Sequence, residues 1–135
     1  MKSLESDMPR LLVLMASLVF ALSLPGCGKP THEDLARESI GTMNEIADVL
    51  AKITDKASAQ KHVGELEKLS AKMKEQKAQM DKMGEPSEKD AEAMLKKLEG
   101  DLNAATQKMT REMSRIAQDP AIMEVLGPVF EKMGQ

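Results

Sequence analysis

The residues with the most distinctive chemistry in this chain are its sulfurs, 12 Met and 1 Cys in 135 residues. Thioether sulfur is a soft ligand suited to Cu(I). Helical spacing would put Met80 with Met83, and Met109 with Met113, on one face each. These methionines stand on the same apolar stripes that Leu fills elsewhere, so flexible core filler is the favoured reading and a methionine copper site the alternative. His32 and His62 lie far apart, without a Cys partner or an HExxH pattern, and are expected to be solvated surface residues rather than zinc ligands. The carboxylates are dispersed among lysines, and no pair is spaced as an acid/base couple. Serines fall at caps and helix surfaces without a GxSxG elbow or a Gly-rich phosphate loop. The sequence therefore predicts a protein with no catalytic activity and no cofactor.

Cys27 is informative through its position. It follows the charge-free run Leu11 to Leu24, which is shorter than the roughly 20 residues a spanning helix needs and fits a secretory h-region preceded by Arg10. Pro25 and Gly26 break a helix there and present an extended segment to a peptidase. Residues 1–26 are expected to be a signal peptide, 27–30 a modified Cys with a short tether, and 31–135 one domain.

Leu24-Pro25-Gly26-Cys27 resembles the lipobox of bacterial lipoproteins, with Leu24 three places before the cut, Gly26 next to it, and Pro25 where that family usually has Ala or Ser. The resemblance implies a diacylglyceryl group on the Cys27 thiol and a further acyl chain on its amine. More than one chain makes anchoring stable. Gly28 stands where Asp would imply inner-membrane retention, so the resemblance implies the outer membrane, facing the periplasm. The tether Gly28-Lys29-Pro30 reaches roughly 10 Å when extended, which holds the domain near the lipid surface.

The elements behind the tether read as helices. Thr31 with Asp34 caps a first segment to about Ile53, with Ala36, Ser39, Met43, Ile46, Leu50 and Ile53 on one stripe, widened by Leu35, Ile40, Ala47 and Val49. Asp55 caps a second, about Lys56 to Met83, whose stripe is Leu66, Leu69, Met73, Gln76, Met80 and Met83. Its Lys-rich surface favours pairing with the acidic first segment. Gly84-Glu85-Pro86-Ser87 turns the chain, and Ser87 with Asp90 restarts it to about Gln118 along Ala91, Leu95, Leu98, Leu102, Ala105, Met109, Met113 and Ile116. Asp119-Pro120 opens a last helix from Ala121 to about Leu126, which Gly127-Pro128 is expected to interrupt. The run Met43 to Leu50 and the Gly84 to Ser87 turn are similar to small exported, Met- and Lys-rich helical proteins of bacteria, a resemblance that implies helices and no activity.

The fold expected is an all-α antiparallel bundle of three long helices plus a short C-terminal one. The chain carries 19 Lys+Arg against 22 Asp+Glu, a net charge of −3. With that balance and no Trp or Tyr, nucleic acid is excluded as a partner. The expected partners are the membrane through acylated Cys27 and a protein of the envelope. The heptad-like stripes can also pair between chains as a homo-oligomer.

Overall fold

Each helix begins at a side chain that closes its free amides. In the computed structural model, which describes residues 28–135, Thr31 Oγ1 accepts from Asp34 N at 3.1 Å while Thr31 N donates to Asp34 Oδ2 at 2.9 Å. Asp55 Oδ1 accepts from Ser58 N at 2.7 Å, Ser87 Oγ from Asp90 N at 3.2 Å, and Asp119 Oδ1 from Ala121 N and Ile122 N. These caps open α1 (His32–Ala51), α2 (Lys56–Met83), α3 (Glu88–Ala117) and α4 (Pro120–Gly134). Gly84 ends α2 at φ 75° and ψ −177°, a backbone region open essentially to glycine. The described residues form no strand, and none of their helices is long and apolar enough to cross a membrane. Residues 1–26 and Cys27 lie outside the described residues.

The long-range contacts fix the topology. Thr42 meets Gln76 and Glu45 meets Lys72, so α1 and α2 run antiparallel. Glu33 meets Lys97 and Asp48 meets Lys108, so α3 lies parallel to α1. Lys56 meets Glu124 and Glu67 meets Lys132, which sets α4 parallel to α2. The backbones of α2 and α3 nowhere approach within 8 Å, and neither do those of α1 and α4. The four helices thus occupy the corners of a square in an up-down-up-down bundle, with α2 facing α3 across one diagonal.

The core is concentrated at the end where α4 packs. Ile46 and Leu50 of α1, Ile53 just beyond it, Leu66 of α2, Ile116 of α3, and Ile122, Leu126 and Val129 of α4 close on one another there. A smaller cluster of Ile40, Leu98 and Ala105 joins α1 to α3 further along.

Two sequence expectations are corrected. Helix α4 is not interrupted at Gly127-Pro128 but runs unbroken to Gly134. Pro128 is exposed, and its missing N–H frees the carbonyl of Glu124 on the water-facing side. An interior proline costs about 3 kcal/mol, while continuing past it buries Val129 and packs Phe130 and Met133 on the core, at about 1.5–3 kcal/mol for a fully buried side chain, so tertiary packing carries the helix through. The α3 stripe is also not buried along its length: Leu98, Ala105 and Ile116 are buried, whereas Leu95 is 57% and Leu102 36% exposed.

The charge pattern also resolves differently from the expected α1–α2 pairing. Among the described residues one ion pair joins those helices, Glu45–Lys72 at 3.6 Å, while Glu33 and Asp48 turn to Lys97 and Lys108 of α3.

Candidate functional site

The fourth corner of the square is only partly filled. Helix α4 has 15 residues, about 22 Å, beside α2 with 28 and α3 with 30. Where α4 stops, the space between α2 and α3 opens onto α1 and forms a cavity of about 470 Å³. Its floor is Met43, Ile46 and Leu50 of α1, its walls are Met73 of α2 and Met109 and Met113 of α3, and its closed end is Phe130, Met133 and Gly134 of α4. Leu102 and Leu95, one and two heptads before Met109 on the same face of α3, are exposed and stand outside the lining of the cavity.

The polar side chains at the cavity are Ser70, Lys74 and Lys77, all on α2. Neither Lys74 nor Lys77 has a carboxylate within ion-pair distance among the described residues, in contrast to Lys72, which is bound to Glu45. No carboxylate lines the cavity. The site is therefore an apolar cleft with positive charge along one lip.

The structure divides the proposed copper ligands. Met109 and Met113 line the cavity, but Met80 and Met83 do not: Met80 is half-buried and Met83 exposed near the far end of α2. The cavity gathers instead Met43, Met73, Met109, Met113 and Met133. Met73, Met109, Met113 and Met133 also pack against the main core cluster, as filler would. Sequence reasoning missed Met133, Phe130, Lys74 and Lys77 as site residues. The available signal was Lys74 and Lys77 flanking the Met73 stripe, but the cavity itself depends on where α4 ends.

The histidines are more tied down than solvated surface residues. His32 Nε2 donates to Gly84 O at 2.7 Å and fastens the α2–α3 turn to the start of α1, and His62 Nδ1 pairs with Glu65 Oε2 at 3.0 Å. Among the described residues no three His, Cys, Asp or Glu side chains gather as a metal site. Near the tether, the Arg37 guanidinium and then Lys97 hold the Glu33 carboxyl below its ordinary range, and the Thr31 amide does the same for Asp34. These carboxylates serve caps and interhelical pairing.

Cys27, the expected lipidation site, lies outside the described residues, and the exposed Gly28, Lys29 and Pro30 lead from it to the α1 cap. Neither the known family models, nor the curated proteins, nor the solved structures match this chain.

Proposed function

We propose that this is a lipid-anchored binding protein of the cell envelope, without catalytic activity, held at the outer membrane by acylated Cys27. The observation that carries the binding role is the apolar cleft that all four helices line. An apolar cavity of this size falls within the roughly 300–1,000 Å³ range of ligand sites. The lipobox-like Leu24-Pro25-Gly26-Cys27 supports the anchor.

Photolabelling of the full chain in membranes with a neutral, diazirine-bearing fatty alcohol tests the binding role. Adducts are expected on the peptides carrying Met73, Met109 and Phe130. Adducts confined to the outer faces of the helices would contradict it.

A second reading is favoured by one feature: five methionines converge on one cavity. Thioethers are soft donors for Cu(I), so a periplasmic copper-handling role uses the same cleft. Competition against a chromogenic Cu(I) chelator under reducing conditions separates the two.

A further inference from the structure

We infer that the cleft is a fatty-acid site, with the alkyl chain among the methionines and the carboxylate held at Lys74 and Lys77. The inference rests on the reading of the cleft as an apolar binding site and adds the chemical class of its occupant.

Three features select this occupant. The apolar side chains of the lining are aliphatic and thioether apart from Phe130, and methionine adapts its shape to a flexible chain. Lys74 and Lys77 are one helical turn apart at the lip and lack a carboxylate partner among the described residues, so an anionic group gains charge there without displacing an existing pair. One end of the cavity is bounded by Phe130 and Met133 of α4, and Lys74 and Lys77 stand at its exposed lip. A closed end admits the terminus of a single chain.

A second copy of the chain, laying one of its helices along this slot, is the competing occupant. A helix about 10 Å across laid in that position would present its own side chains to Lys74 and Lys77 and would need an acidic residue there as well as an apolar face. A fatty acid supplies both features in one small molecule.

The test uses the full chain in its membranes and a diazirine analogue of palmitic acid, with adducts mapped by mass spectrometry. Adducts are expected on the peptides bearing Met73, Met109 and Phe130 and are competed away by unlabelled palmitate. Lys74→Glu with Lys77→Glu lowers the ratio of fatty-acid to neutral fatty-alcohol labelling about tenfold, the loss of roughly 1.4 kcal/mol of charge attraction. Met73→Trp fills the cavity and lowers both, with the helical melt by circular dichroism as the check on folding. Fatty-acid labelling that is indifferent to the lysine reversal overturns the inference while the neutral probe still supports an apolar site. Loss of groove adducts from both probes overturns the inference and the binding role together. Crosslinks between two copies through Met109 and Lys77 would show the second chain as occupant and overturn the fatty-acid site.

Discussion

Arg115 of α3 closes the C-terminal end of α1, donating from Nη2 to Leu50 O at 2.7 Å and from Nη1 to Ile53 O at 2.8 Å. Leu50 O also accepts from Ile53 N at 3.1 Å, so one planar side chain ties the last turn of α1 and the residue beyond its cap to α3. Glu112, 8% exposed, aims that guanidinium by accepting from Arg115 Nε at 3.0 Å. Arg115→Ala is expected to destabilise the fold by about 2–3 kcal/mol in urea melts, because Ile53 O loses its side-chain donor, Leu50 O keeps only Ile53 N, and the buried Glu112 carboxylate keeps only Arg111 at 3.4 Å. Arg115→Lys should recover less than half, since a point charge cannot reach both carbonyls and the carboxylate.

Thr42 and Gln76 form the other buried polar contact. Gln76 Nε2 donates to Thr42 Oγ1 at 3.1 Å, and the Thr42 hydroxyl donates to Glu38 O at 3.1 Å, which leaves Gln76 Oε1 buried without a partner. Thr42→Val alone is expected to cost about 1–3 kcal/mol by stranding the Gln76 amide. Thr42→Val with Gln76→Met should be near neutral or stabilising, because both polar groups leave together. Urea denaturation of the two variants checks the order.

Acid should weaken the caps. The Ser58 amide holds Asp55 below its ordinary value, as the Thr31 amide does Asp34 and the Arg37 guanidinium does Glu33. A carboxyl whose folded pKa is depressed stabilises fully above its unfolded value and loses that contribution as pH falls through the folded one. The melting temperature is therefore expected to be level down to about pH 5 and to fall below about pH 4. Asp55→Asn keeps the cap oxygen and should reduce that acid-dependent part; an unchanged acid profile would contradict the assignment.

The local rules of helix initiation were legible in the sequence. Thr31 with Asp34, Asp55, Ser87 with Asp90, and Asp119-Pro120 all mark starts that the structure keeps, because each is a contact within three residues. What was not legible depends on distance along the chain. Pro128 reads as a helix breaker until the burial of Ile122, Leu126 and Val129 is known. Leu95 and Leu102 read as core because they continue the stripe of Met109, and nothing local says which part of that stripe another helix covers. Met80 and Met83 share a face with Met73 on α2, yet the cavity is fixed by α4 further along, so Met133 and Phe130 join Met73 and these two do not.

The methionines give a discriminating variant. Replacing Met73, Met80, Met109 and Met113 together with Leu nearly conserves volume and is expected to cost under ~1.5 kcal/mol per site. If the cleft handles lipid, the wild type should not compete for Cu(I) and the variant should behave alike. Tight Cu(I) retention by the wild type that vanishes in a folded Leu variant would move the function to metal handling.

The account rests most heavily on Cys27, the single thiol in the chain. Metabolic labelling with an alkyne palmitate analogue, followed by mass spectrometry of the N-terminal peptide, tests it directly. The account predicts a mature chain beginning at acylated Cys27 and no label on Cys27→Ser. Equal label on the Ser variant, or a mature N-terminus elsewhere with an unmodified Cys27, would contradict it.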